Sequence, residues 1–306
     1  MSRHHPTLYF DDGSLTLKAS DGTLYNVYRH HLIMQSDFFN GMLTLPIPNH
    51  PTVPLTGSTK DFLEKARAAG VDGTSDETAV SLPEKFTAME CERFLEFIFN
   101  TRGWTAKTPP LEDLCAVLKT CHFFAVEAGI DYAIHHLQDH AKLDAALRFK
   151  LGCDYHLPDW IKQAFDELMT VSIDKLTPED ENLLGWAAYR ALARAQAEVW
   201  DHRATLAVCP PDVLHSNWCN NPGYCTSEWE KSWVSLSGVL GALIKEELPG
   251  SEIHDKLETY SGGGMTRDCH RRTCNSLKET AEAKSRLKKE EDIIDNAVEA
   301  LINGLR

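Results

Sequence analysis

Leu15, Leu17 and Ala19 alternate with polar residues up to Asp21-Gly22, and Thr23, Tyr25 and Val27 resume the alternation afterwards. Period-two patterning around an Asp-Gly pair, whose glycine supplies the positive φ of a tight turn, predicts a β-hairpin. From residue 29 to 45 the period changes: Leu32, Ile33, Ser36, Phe39, Met42 and Leu43 stand three or four apart, and Pro46 closes the run. Two short helices are predicted there.

Residues 46–76 hold most of the local Pro, Gly, Thr and Ser, with one charged piece at 60–67 that predicts at most a short helix. This stretch reads as a loop insertion. A strand is predicted at 79–82 and a helix at 86–99, where Met89, Phe94, Leu95, Ile98 and Phe99 are apolar. Leu111, Leu114, Cys115, Leu118, Cys121 and Ala125 form one stripe, and Tyr132, Ala133, Leu137 and Ala141 form the next after Gly129. These are two packed helices.

Beyond Asp144 the pattern is almost wholly helical. Trp160, Ile161, Ala164, Phe165 and Leu168 make one face behind Pro158, a residue suited to a first helical turn. Thr177-Pro178-Glu179-Asp180 combines a cap, a proline at the first position and an acid three residues on, and opens a helix to about His202. Trp229, Trp233, Leu236, Leu240 and Leu243, behind a capping box Ser227-x-x-Glu230, predict one helix over 227–247 that buries two indoles. Gly262-Gly263-Gly264 is a linker or loop, and 277–305 a final helix in which Leu287, Ile294 and Leu301 stand seven apart.

Composition narrows the class. Hydrophobic residues at 42% and charged residues at 25% of 306 are globular proportions, enough for a prior of two domains. A net charge of -14 meets a phosphate backbone with repulsion, so nucleic acid is not an expected partner. No stretch approaches the roughly 18 to 20 apolar residues that span a bilayer, and residues 1–10 lack the apolar core of an export signal. The expectation is an intracellular protein, cytoplasmic or nuclear, without membrane partners. Its nine cysteines then read as thiols or metal ligands before disulfides.

The segment Leu24-Tyr25-Asn26-Val27-Tyr28-Arg29-His30-His31-Leu32, followed by Ser36, Phe39 and Met42, resembles the signature of BTB/POZ domains. In that signature an aromatic, a valine and a histidine end a strand, and a leucine, serine, phenylalanine and methionine mark the next helices. Tyr28 departs from it, standing where the family usually has histidine. Further on, Tyr155, Pro158-Asp159-Trp160, Ala164 and Leu168, then Leu176-Thr177-Pro178-Glu179-Asp180 and Leu184-Gly185, resemble the helical region of many fungal BTB proteins. His215-Ser216, Cys219, Cys225, Trp229 and Trp233 are similar to their C-terminal segments. The resemblance implies a protein-interaction module that forms homodimers or hetero-oligomers, and in some members one that recruits a cullin-type ubiquitin ligase.

The sequence carries no G-x-G-x-x-G, P-loop, G-x-S-x-G or H-E-x-x-H frame. Gly57-Ser58-Thr59-Lys60 lacks the preceding glycine of a phosphate loop and reads as a turn. His136 and His140, four apart on a predicted helix, would face one side, but two ligands are not a site. More informative are Cys219, Cys225, Cys269 and Cys274, two pairs of thiols that together suit one structural zinc ion if the chain after the 227–247 helix doubles back through Leu248-Pro249-Gly250. His215 or His270 could replace one thiolate, and the sequence does not decide between them. The same residues also read as reduced packing thiols, with Cys269 and Cys274 on a loop.

The expected fold class is therefore α+β: a BTB/POZ domain over 10–141, a small sheet with helices and a loop insertion at about 46–78, followed by an all-α region. That region divides into helices at 142–205, a Cys/Trp-containing segment at 206–275 and a C-terminal helix at 276–306. The expected role is binding to protein partners, including self-association through the BTB domain, and not turnover. Its rivals are a substrate adaptor of a cullin-type ligase and a thiol-based redox sensor or enzyme using the C-terminal Cys/His cluster.

Overall fold

Asp21-Gly22 turns the chain as its chemistry requires: Gly22 adopts φ 87° and the Asp21 carboxylate accepts from the Thr23 N–H at 2.9 Å. On either side lie β2 (Leu15–Lys18) and β3 (Thr23–Val27), paired antiparallel. The computed structural model describes residues 3–44, 73–104, 109–235, 237–245, 248–253, 257, 264–279 and 281–304. Residues 46–72 of the expected insertion, Leu236 and Gly262-Gly263 lie outside these. The architecture is α+β, and the chain divides into two compact units, Met1–Leu143 and Asp144–Arg306.

In the first unit the sheet has four strands in the order β1-β3-β2-β4, with β1 (Arg3–Tyr9) and β4 (Val80–Ser81) each parallel to its neighbour. Pairing along the free edge of β3 buries Leu8 completely, the Tyr9 hydroxyl donates to Asp76 at 2.8 Å, and Phe10 stacks on Tyr28. Pro6, which has no N–H to donate, falls where the register shifts between His4 and Tyr9.

Helices α1 (Arg29–Gln35), α2 (Asp37–Thr44), α3 (Ala88–Ile98), α4 (Leu111–Phe123) and α5 (Glu127–Gln138) complete this unit. α3 opens with a full Thr87/Glu90 capping box. Ser36 is buried between α1 and α2, where its hydroxyl donates to the Phe124 carbonyl and accepts from the Phe39 N–H at 3.1 Å. Phe38, Phe39, Phe86, Phe94 and Phe124 pack ring against ring at the centre. His140 lies past the end of α5, so it does not share a helix with His136 as the sequence spacing predicts.

The second unit holds α6 (Ala145–Asp154), α7 (Pro158–Met169), α8 (Pro178–Val208), α9 (Pro222–Trp233), α10 (Arg267–Glu279) and α11 (Ala281–Gly304). α8 opens with the Thr177/Asp180 capping box and breaks at Gly185, whose φ of 70° favours glycine. One core gathers Phe149, Ile161, Phe165, Leu192 and Val298 from α6, α7, α8 and α11. A second gathers Leu206, Trp229, Trp233, Leu243, Cys269 and Leu277. Glu290 of α11 accepts two hydrogen bonds from Arg203 and one from the Gly250 N–H, all at 3.0 Å or less.

Two helix expectations fail here. The 227–247 helix is instead α9, which starts five residues earlier at Pro222 and ends at Trp233, followed by a π-type turn over Gly241–Lys245. Ser235 and Gly238 interrupt it: the Ser235 hydroxyl bonds back to the Ser232 carbonyl, and Gly238 approaches that carbonyl so closely that a Cβ would stand 1.8 Å from it. The stretch expected as a loop around Cys269 is helical α10, ahead of the final helix. Among the described residues no helix is long and apolar enough to cross a membrane.

Candidate metal centre

Three pieces of chain converge in the second unit. The loop leaving α8 carries His215 and Cys219, and enters α9 through Asn221, whose side chain accepts from the Tyr224 N–H at 3.2 Å, with Pro222 in the first turn. Cys225 follows within α9, and Cys269 sits in the first turn of α10. The Trp229 and Trp233 indole N–H groups donate to the carbonyls of Pro211 and Leu206, both at 3.0 Å, tying α9 to the end of α8 and to this loop.

The ligand atoms of His215, Cys219, Cys225 and Cys269 all lie within 4.8 Å of one another. Cys219 Sγ is 3.6 Å from Cys225 Sγ and 3.7 Å from His215 Nδ1. A zinc ion roughly 2.3 Å from each sulfur of a tetrahedron sets those sulfurs about 3.8 Å apart, a separation that Cys219 and Cys225 come close to. Three soft thiolates also offset the dipositive charge.

Backbone N–H groups donate to two of the ligand sulfurs. The Ser216 N–H donates to Cys269 Sγ at 3.2 Å, and the Thr266 N–H to Cys225 Sγ at 3.5 Å. Burial pushes the Cys225 thiol up, but hydrogen bonding with Thr266 and the neighbouring thiols outweighs it and holds the group below the ordinary thiol value. Cys219 moves the other way, raised by burial and then by Cys225 and Cys269, as expected of neighbours competing for one proton. With Nδ1 on a metal, His215 Nε2–H remains to donate to Thr226 Oγ1, 3.4 Å away, and so fixes the ring.

The structure brings together three of the four cysteines singled out in the sequence and not the fourth. Cys274 is buried on α10 with its sulfur 3.7 Å from His270 Nε2. The reason is helical geometry: at 3.6 residues per turn, positions five apart point about 140° away from each other. Cys269 and Cys274 could converge on one ion only from the expected loop. His215 takes the fourth place, and its three-residue spacing from Cys219 is a ligand-pair signal already present in the sequence.

Large aromatics also stand in solvent on this unit. Trp218, beside Cys219, is 86% exposed and Trp186 on α8 is 74% exposed. Trp186 stacks on Tyr189 and borders a groove of about 610 Å³ lined by Ala187, Ala191, Ala297 and Leu301. A scan against protein-family models and searches of curated proteins and of solved structures gave no match.

Proposed function

We propose that this chain is a non-catalytic protein-interaction module: a BTB/POZ-type first unit that self-associates, and a helical second unit, closed by one zinc ion, that presents aromatic anchors to protein partners. The observation that carries the reading is the exposure of Trp186 and Trp218, and to a lesser degree Trp200, while Trp104, Trp160, Trp229 and Trp233 are buried. An indole left in water forfeits a large apolar area, and tryptophan is enriched at the energetic centres of protein interfaces. The Ala-lined groove beside Trp186 offers a concave surface next to that anchor.

For the first unit the support is local. Leu32, Ser36 and Phe39 of the BTB-like signature are all buried where the hairpin passes into α1 and α2. Tyr28, the departure from that signature, is half-exposed, and its hydroxyl donates to Asp12 at 2.8 Å. For the second unit the support is the quartet. Cys219, Cys225, Cys269 and His215 supply four donors, the number a closed structural zinc site takes, so zinc there would hold segments together and activate nothing.

Partner capture from the native cell tests the module reading. Folded Trp186→Ala and Trp218→Ala variants should each lose partners that the wild type retains, and an identical partner set in all three would overturn it. A cullin among those partners would make the module a ligase adaptor. Sedimentation at micromolar concentration should give about twice 34.4 kDa, and a clean monomer would remove self-association. Elemental analysis without added metal should find about one zinc per chain, and fewer than about 0.2 would remove the ion.

A further inference from the structure

We propose that Cys219 and Cys225 are a redox pair, closing into a disulfide when the site meets a peroxide and thereby releasing α10 from the metal-bound loop. The disulfide itself follows from the geometry of the thiols, whereas the release of an ion rests on the zinc reading above.

The sulfurs of Cys219 and Cys225 are 3.6 Å apart, and a disulfide needs about 2.05 Å, a closure within reach of side-chain rotation and a small loop shift. The flanking chain permits it, because Cys219 lies on the irregular segment before Pro222. Accessibility orders the events. Cys225 and Cys269 are 2% and 0% exposed, while Cys219 is only half-buried and is the thiol a peroxide in solvent meets. Cys269 is also held in place, accepting from the Ser216 N–H at 3.2 Å on a sulfur fixed to a helix.

The chemistry balances with a peroxide as the oxidant. The Cys219 sulfur attacks one peroxide oxygen, the O–O bond breaks, and hydroxide leaves to become water, which leaves a sulfenic acid on Cys219. The Cys225 sulfur then attacks the Cys219 sulfur, the S–O bond breaks, and a second water departs. Two thiols have lost two electrons in all, hydrogen peroxide has gained them, and one S–S bond has formed.

The consequence lies in which segments stay joined. A four-ligand site links the loop through His215 and Cys219, α9 through Cys225 and α10 through Cys269. The disulfide links only the loop to α9. His215 and Cys269 alone are two ligands, too few to retain an ion, so α10 loses its tie while Trp218 stays on a loop now fixed covalently to α9.

The test treats the full chain, as purified, with a few equivalents of hydrogen peroxide, follows zinc with a chromogenic chelator, and maps disulfides by peptide mass spectrometry. We expect a Cys219–Cys225 linkage formed in step with release of about one zinc per chain, reversed by reductant and added zinc. In Cys225→Ser the sulfenic acid on Cys219 should persist and be trapped by dimedone. A Cys219–Cys225 linkage in protein that carries no zinc supports the redox pair while removing the metal reading. Cys219 left reduced, or Cys225 paired with Cys269, overturns the proposal whatever the metal content, and the mapping is done on the wild type, so a variant that fails to fold does not shield it.

Discussion

At the scale of single residues the cysteines fall into two kinds, and their surroundings explain why. Burial pushes the Cys91 thiol up to about 12 and the Cys115 thiol up to about 11, each with a carboxylate neighbour adding to the effect. Both therefore behave as small apolar side chains in the first unit, while Cys225 is drawn down by Thr266 and its thiol neighbours. A thiol raised in the folded state holds its proton where the unfolded chain has lost it. Stability is then complete below the ordinary value of 9.0 and declines as pH rises from there toward about 12. Denaturant titrations above and below that value should show this decline in the wild type and a shallower one in Cys91→Ala; equal declines would contradict the assignment. Three residues of the candidate metal centre were legible in the sequence because cysteines clustered after Cys209, read as reduced thiols, suggest soft ligation. The fourth was not, because choosing between Cys274 and His215 depends on whether the polar, basic run Asp268 to Arg272 is helix or loop, and its composition suits either.

Among the elements, those whose signals lie within one turn of chain were legible, and those that depend on a distant partner were not. Pro158 and the spacing Trp160, Ile161, Ala164, Phe165, Leu168 specify α7 locally, and all five of these apolar side chains are buried. Trp160→Ala should accordingly cost on the order of 3 to 5 kcal/mol, the usual range for emptying a buried aromatic site. A loss under about 1 kcal/mol in reversible denaturation would place that face in solvent. The two acid-terminated capping boxes, at Thr87 and Thr177, are local in the same sense. β1 is the opposite case. Arg-His-His-Pro shows no alternation, and the strand exists because β3, some twenty residues on, offers an unpaired edge. The break after Trp233 was hidden differently: apolar residues continue at helical spacing through Leu243, but Ser235 and Gly238 turn the backbone back on Ser232, so Leu240 and Leu243 reach the core from beyond a turn.

For the whole molecule, division into two units makes the consequence of metal loss specific. All four candidate ligands belong to the unit Asp144–Arg306, and the three cysteines among them touch one of its two cores, the one built on Trp229 and Trp233. Among the described residues that core draws on short pieces, a π-type turn over Gly241–Lys245 and α10, which is strongly polar apart from the buried Cys269, Cys274 and Leu277. Pieces with so little apolar area each are poorly held by burial alone, whereas the core of α6, α7, α8 and α11 rests on long helices and needs no ion. The first unit has its own cluster of phenylalanines and contributes no ligand. Chelation should therefore act on one part of one unit. Hydrogen exchange followed by mass spectrometry, with and without chelator, should show protection falling by roughly tenfold or more over 206–277, with residues 80–138 and 145–169 unchanged. Uniform loss of protection would mean that the ion supports the entire fold, and no change anywhere would mean that packed thiols hold the segment without one.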